Sequence, residues 1–141
     1  AENTSGISPQ SLGFNPQSEP VRAHALKEAA RTGSARITHK VVLRSDQLKG
    51  QETPALLIYA PVYHPGAELL AKGEREGLVY GFASVAFRLE SLLEHMRHNS
   101  MGRQLGFRIT ARDGRGKISP IADTGDFVEG QLAETRDLQV A

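Results

Sequence analysis

Two apolar runs near the middle of the chain dominate its hydrophobic pattern. Residues 55–63 read ALLIYAPVY and residues 78–87 read LVYGFASVAF, with almost no polar position in either run. A strand with one face in water alternates apolar and polar residues, whereas a strand covered on both faces does not. The two runs therefore predict the central strands of one sheet, with material packed on both faces. We expect Pro61 to end regular pairing and Gly81 to mark a bulge or the close approach of a ligand.

Two other segments have the spacing of amphipathic helices. The first is predicted from an N-cap at Ser18 to about Thr32, where Gly33 ends it, and the second from Leu89 to about His98. The apolar stripe of the first helix consists of Val21, Ala25, Leu26 and Ala29. Its charged residues are expected on a solvated face: Arg22, Lys27, Glu28 and Arg31.

Strict alternation marks the remaining strands. In residues 36–44 it predicts one inward face, shared by Ile37, His39, Val41 and Leu43. An inward His39 either finds its partners within the protein or contacts a ligand. Residues 105–122 alternate as a hairpin with Asp113 and Gly114 at its turn, and Phe127 with Val128 is expected to begin another short strand. This order of elements predicts an α+β fold with an antiparallel sheet.

Length and charge place limits on this picture. At 141 residues and 15.3 kDa the chain forms one domain, predicted as an irregular N-terminal segment at 1–17, a body at 18–130 and a polar tail at 131–141. A net charge of +1 provides no general attraction to nucleic acid, which is not expected as a partner. No run approaches the roughly 18 apolar residues that a membrane span requires, so the domain itself is not expected to cross a membrane.

Catalytic and cofactor chemistry have no support in the sequence. The chain lacks cysteine, and no GxSxG, SxxK or HExxH pattern occurs. His95 and His98 lie at i, i+3 on the second helix and would either share a metal ion or remain solvated, and the solvated alternative is favoured. We therefore expect no catalytic residue, no metal site and no cofactor, and no enzymatic activity in this domain.

Four segments, taken in order, resemble the CHASE domain. They are RAHALKEAARTG at 22–33, Ile37-Thr38, PVY at 61–63 and GFASVAFRLESLL at 81–93, and the similarity covers roughly residues 11–122. The CHASE domain is the extracytoplasmic sensory module of cytokinin-receptor histidine kinases, of bacterial histidine kinases in two-component systems, and of the diguanylate cyclases of cyclic-di-GMP signalling. The resemblance implies a PAS-like antiparallel sheet flanked by helices. It also implies a periplasmic location, a membrane helix on each side, and a homodimer in the full-length receptor.

The resemblance further implies a ligand pocket between the central sheet and the loops that cross it. In the plant receptors an acidic side chain meets the purine of an adenine-type cytokinin, and Asn15 stands at the matching position here. Tyr59 stands where those receptors have a small Thr. Asn offers a donor as well as an acceptor, and Tyr would fill much of an adenine-sized cavity, so both differences weigh against cytokinin.

The predicted ligand-binding set has five further members. Ile37, Asp46 and Phe82 match family positions that line or approach the pocket. His39 is included because the strand alternation places it on the inward face, and Ser84 is included because it is a polar residue within an otherwise apolar strand. The first hypothesis is a domain that senses a small molecule in this pocket. The alternative is a PAS-like interaction or dimerisation module with a filled core and no ligand.

Overall fold

Antiparallel β-sheets flanked by helices make up the part of the chain that the structure, a computed structural model, describes. That part comprises residues 12–71, 74–99, 105–112, 115–125 and 127. The helices are α1 (Pro20–Thr32), α2 (Arg44–Gln47) and α3 (Leu89–His98). The strands are β1 (Arg36–Ile37), β2 (Val41–Val42), β3 (Pro54–Tyr63), β4 (Val79–Arg88), β5 (Arg108–Arg112) and β6 (Ile118–Asp123). The predicted α+β class is confirmed.

Strand β3 is the centre of the main sheet. It pairs with β4 along one edge and with β1 and β2 along the other, always antiparallel, while β5 and β6 form a separate two-stranded sheet. The strands predicted from the two apolar runs are confirmed. Among the described strands, however, β4 pairs only with β3 and is exposed along most of its length. The expectation that both runs are covered on both faces is therefore wrong for β4.

Pairing between β3 and β4 continues past the proline. Pro61 lies opposite Phe82, and the irregularity comes later, where Val62 faces Gly81 and Tyr63 faces Val79. The expectation that pairing ends at the proline is wrong. In the described part of the chain β1 ends opposite Tyr59, so the other edge of β3 is open at this point and can accept a residue without an N–H. The bulge lies beside Gly81.

Helix α1 has the predicted end and a different beginning. Gly33 adopts φ 64°, a left-handed conformation that glycine adopts readily, and its N–H donates to the Ala29 carbonyl at 3.0 Å. Glu19 is the N-cap, with Pro20 at the first helical position. Ser18 belongs to the preceding 3-10 turn, Pro16–Ser18, and its hydroxyl donates to the Asn15 carbonyl at 2.7 Å. The predicted N-cap is therefore one residue early.

The hydrophobic core lies between α1 and one face of the sheet. Its buried members are Ala25, Leu26, Val41, Ala55, Leu57 and Tyr59, with Leu43 and Phe82 packed against them. The odd-numbered residues of β3 face the helix because strand side chains alternate between faces. The direction in which each neighbouring side chain points then follows from its register with β3.

Strands β1 and β2 do not present one common face. Ile37 lies opposite Ile58 and Val41 lies opposite Ala55, so four steps along this segment match three steps along β3. The extra residue reverses the alternation, as a bulge does. Val41 is consequently 7% exposed on the helix side, whereas Ile37 is 44% exposed.

The predicted inward face of residues 36–44 is therefore wrong for Ile37 and His39, whereas Val41 and Leu43 do pack at the core. Thr38 stabilises the irregular segment, because its N–H donates to the Leu57 carbonyl at 2.8 Å and its Oγ1 accepts from the Leu57 N–H at 3.0 Å. Strict alternation predicts that Thr38 points outward, but Thr38 is buried. His39 is exposed.

Helix α3 and the hairpin agree with the sequence analysis. α3 has the predicted bounds, and Leu89 and Leu93 are its buried residues. Strands β5 and β6 form the predicted hairpin. The turn residues Asp113 and Gly114, the expected strand residue Val128 and the predicted tail at 131–141 lie outside the described residues. The domain boundaries remain predictions.

An ion pair joins α2 to the end of β4. The Nη2 of Arg88 donates to Asp46 Oδ1 at 2.7 Å and its Nε donates to Oδ2 at 3.0 Å, while the Asp46 side chain is 2% exposed. The hydrogen bonds from Arg88 lower the pKa of Asp46 below its usual value of 3.8. The folded protein therefore binds this proton less tightly than the unfolded chain does.

Asp46→Asn should destabilise the protein in a pH-dependent way. It replaces a charge-assisted pair and should lower the free energy of unfolding at pH 7 by about 1–3 kcal/mol, towards the lower end because Arg88 is partly solvated. The stability from a carboxyl with a lowered pKa is complete above its unfolded pKa of about 4 and is lost as pH falls through the folded pKa. Urea unfolding at pH 7 and below pH 4 should show the difference between the two proteins shrinking.

A matched control is provided by the exposed residue Glu52. Glu52→Gln removes a carboxylate that has no ion-pair partner in the described part of the chain, and it should change stability little at either pH. An equal loss in both variants, or a pH-independent loss in Asp46→Asn, would contradict the assignment.

Candidate functional site

An open groove of about 730 Å³ lies between α1 and β4. Helix α1 and the turn before it form one wall, and the 3-10 turn Glu76–Leu78 with the start of β4 forms the other. Its lining residues are Gln17, Ala23, Leu26, Lys27, Ala30, Glu76, Val79, Tyr80, Gly81 and Phe82. The groove thus combines an apolar base with a few polar groups, as ligand pockets commonly do.

Small side chains on α1 keep the groove open. Ala23, Leu26 and Ala30 share one flank of the helix because they are three, four and seven positions apart. Two of the three carry only a methyl group, so they leave space between the helix and β4 unfilled.

Phe82 lies at the boundary between the groove and the core. Its ring lines the groove and packs edge-on against the Tyr59 ring, with 6.5 Å between centroids and 78° between planes. This edge-to-face arrangement is favourable for aromatic pairs. Whatever occupies the groove can therefore contact a side chain that also belongs to the core.

A buried arginine occupies the interior beyond Tyr59. The Nε of Arg22 donates to Glu19 Oε2 at 2.6 Å, its Nη2 donates to the Val42 carbonyl at 2.9 Å, and its guanidinium lies 5.0 Å from the Phe14 ring centroid. Burial raises the pKa of Tyr59, and the nearby charge of Arg22 opposes that rise. The space between the start of α1 and β2 is thus filled by the protein's own side chains.

The expectation of a solvated Arg22 is wrong. Arg22 lies three positions before Ala25 and four before Leu26, which places it on the sheet side of α1. Its aliphatic stem can pack there while Glu19 and the Val42 carbonyl compensate the charge.

Three of the predicted ligand-binding residues lie together on β3 and β4. Ser84 faces Tyr59 directly across the strand pair, and Phe82 is the next residue of β4 on the same face. Ser84 is exposed, Tyr59 is buried, and only Phe82 of the three lines the groove.

Two other predicted residues lie on the opposite flank of α1. Ile37 and His39 line a second cavity of about 120 Å³, together with His24 and Arg36. This volume lies below the range of roughly 300–1,000 Å³ that is usual for small-molecule sites and can hold a few waters.

Asn15 and Asp46 each have a local partner. The Oδ1 of Asn15 accepts from the Gln17 N–H at 3.0 Å, which caps the 3-10 turn, and Asn15 is exposed. Asp46 is engaged by Arg88. The structure therefore does not bring the seven predicted residues into one pocket, and a ligand role for each remains a prediction.

Sequence reasoning missed most of the groove. Ala23 and Ala30 were hidden because Val21, Ala25, Leu26 and Ala29 already accounted for the apolar spacing of α1. The spacing of Ala23 and Ala30, seven positions apart on a neighbouring flank of α1, was the signal in the sequence that could have indicated the groove. Nothing local marked Glu76, because its position depends on how the segment before β4 returns to α1.

Other site types find no support in the described residues. No group of three or more potential metal-ligating side chains occurs there. No helix of that part of the chain combines the length and apolar character needed to cross a membrane.

Comparison with known protein families gives one match. A family model described as the CHASE domain matches residues 1–120. No curated protein matches the chain. The matched residues include α1, the main sheet and the groove between them.

Adjacent alanines on α1 should respond oppositely to enlargement. Ala29 is fully buried, so Ala29→Leu should overpack the interior and destabilise the protein by about 1–3 kcal/mol. Ala30 lines the groove, so Ala30→Leu should change stability by no more than about 0.5 kcal/mol, since Leu is a good helix former and the new side chain enters open space. Urea unfolding of both variants measures this difference, and equal losses would show that the space beside Ala30 is closed in solution.

Proposed function

Because the chain belongs to the CHASE domain family, whose members are sensory domains of signalling proteins, we propose that it senses a small molecule outside the cytoplasm. The domain is sensory rather than catalytic. In this proposal it is the periplasmic part of a membrane-bound histidine kinase or diguanylate cyclase that works as a homodimer. The ligand lies over the central sheet, in the groove between α1 and β4.

The groove is the observation that carries this proposal. Its volume of about 730 Å³ falls within the range of roughly 300–1,000 Å³ that is usual for small-molecule sites. Apolar side chains form its base, and Gln17, Lys27 and Glu76 supply polar groups that can orient a ligand. Both walls are positioned by regular elements, which favours a defined site.

Contact with Phe82 gives a bound molecule a connection to the core. A ligand that fits one arrangement of α1 and β4 better than another shifts the population towards that arrangement. Couplings between sites are typically about 1–3 kcal/mol, which is sufficient to bias the output of a dimeric receptor.

A ligand that occupies the groove should stabilise the wild-type domain and not the groove-filled variant. We expect at least one compound of a small-molecule library, adenine derivatives included, to raise the melting temperature of the wild type in a concentration-dependent way. The same compound should have little effect on Ala30→Leu because Leu occupies part of its site. Thermal shift followed by calorimetric titration measures both.

Substitution outside the groove provides the control for this experiment. Lys49 lies beyond α2 and does not line the groove, so Lys49→Gln should respond to the compound as the wild type does. If no compound stabilises the wild type, or if the response is equal in Ala30→Leu, sensing by this groove is wrong.

A second candidate function is favoured by the opposite face of the sheet. There β1, β3 and β4 present side chains that are all apolar and in part strongly exposed: Ile37, Leu56, Ile58, Ala60, Val62, Ala83, Val85 and Phe87. Apolar patches of this kind often mark protein contacts. Contact with a second copy or another protein through this face would describe an interaction module whose core needs no ligand.

A charge on this face should prevent the association if this second function is correct. Val85→Lys places an ammonium group on a residue that is 54% exposed, so the monomer should tolerate it while a complex buried on that face should weaken by at least about tenfold. Analytical ultracentrifugation of the isolated domain compares it with Leu69→Lys, an exposed apolar residue outside the sheet. A monomeric wild type, or equal weakening in both variants, would count against this face.

A further inference from the structure

Two opposite charges line the groove from different elements. Lys27 is on α1, and Glu76 begins the 3-10 turn that precedes β4. Both are exposed, and neither has an ion-pair partner within 4 Å among the described residues. The neighbouring Arg31 is paired with Glu28 at 2.7 Å and also lies within electrostatic reach of Glu76, to which it forms no ion pair within 4 Å. The groove therefore offers one ammonium and one carboxylate to whatever enters it.

Most of the side chains that accompany these charges in the groove are apolar. They are Ala23, Leu26, Ala30, Val79 and Phe82. A highly charged ligand without an apolar part would leave their surface in contact with water and gain little from the shape of the groove. A ligand with an apolar body displaces that water and contacts the Phe82 ring.

We infer that the groove binds a zwitterion with an apolar side chain, of the amino-acid or short-peptide class. This inference rests on the proposed function and specifies its ligand. The ligand carboxylate pairs with Lys27, the ligand ammonium pairs with Glu76, and the side chain lies against Leu26 and Phe82.

Charge complementarity separates this class from the alternatives. A simple anion is attracted by Lys27 and repelled by Glu76, and a simple cation meets the reverse. A neutral flat heterocycle can hydrogen-bond to Lys27 and Glu76 but forms an ion pair with neither. Only a molecule that carries both signs forms an ion pair with both side chains at once.

Three probes that share one apolar body test the inference by calorimetric titration. L-phenylalanine carries both charges, phenethylamine lacks the carboxylate, and 3-phenylpropanoate lacks the ammonium group. We expect each of the two single-charge probes to bind the wild-type domain about tenfold more weakly than L-phenylalanine.

Substitutions of the two charged residues should each remove one preference. In Lys27→Met, L-phenylalanine and phenethylamine should bind equally, because the carboxylate has lost its partner. In Glu76→Gln, L-phenylalanine and 3-phenylpropanoate should bind equally. Lys49→Gln and Glu52→Gln remove the same charges outside the groove and should preserve the wild-type order of affinities.

The outcomes distinguish this inference from the function on which it rests. If a neutral library compound stabilises the wild type but not Ala30→Leu, while L-phenylalanine binds no better than the single-charge probes, the groove is a sensor site and the zwitterion assignment is wrong. If neither the library nor L-phenylalanine binds, the proposed function and the assignment both fail. Unchanged preferences in both Lys27→Met and Glu76→Gln would overturn the assignment even if L-phenylalanine binds tightly.

Discussion

The register between β3 and β4 is the constraint on which the rest of this structure depends. Because strand side chains alternate, it fixes at once that Tyr59, Ser84 and Phe82 share the face covered by α1, while Ile58 and Val85 share the other. A slip of one residue would move Tyr59 out of the core and Phe82 out of the groove. Burial of Ala55 and Leu57 beneath α1 opposes such a slip, because the core would have to repack around side chains of other sizes.

The sequence was most informative where a pattern is long and local. Residues 89–98 were placed as a helix with the observed bounds, and both apolar runs were placed as strands, because a hydrophobic pattern sustained over ten residues fits few alternative structures. It was least informative where one extra residue decides the outcome. Nothing in residues 36–44 shows that the segment from Ile37 to Val41 has one residue more than the stretch of β3 with which it pairs. The bulge exists only in relation to the partner strand. The prediction that Arg22 is solvated was wrong for a similar reason, since its partners Glu19 and Val42 come together only in the fold.

The candidate site was only partly accessible from the sequence. Family resemblance predicted a pocket between the central sheet and the loops that cross it, and Phe82 is the predicted residue that lines the groove between α1 and β4. The same resemblance also predicted Tyr59 and Asn15 as ligand-binding residues, but neither of them lines the groove. Tyr59 is packed into the core beside Arg22, and Asn15 caps its own turn. Bulky residues in the interior leave the larger open volume nearer to β4, where alanines of α1 face the strand.

The position of Phe82 makes the groove more than a surface depression. A ligand that touched only exposed side chains of α1 could bind without favouring one arrangement of the domain over another, and such binding shifts no equilibrium. Phe82 packs against Tyr59, and Tyr59 lies beside the guanidinium that bonds to the Val42 carbonyl of β2. Contacts thus run without interruption from the groove through the core to the strand on the far edge of the sheet. A molecule in the groove would therefore contact a packed network, which is one physical route from occupancy to a change elsewhere in the domain.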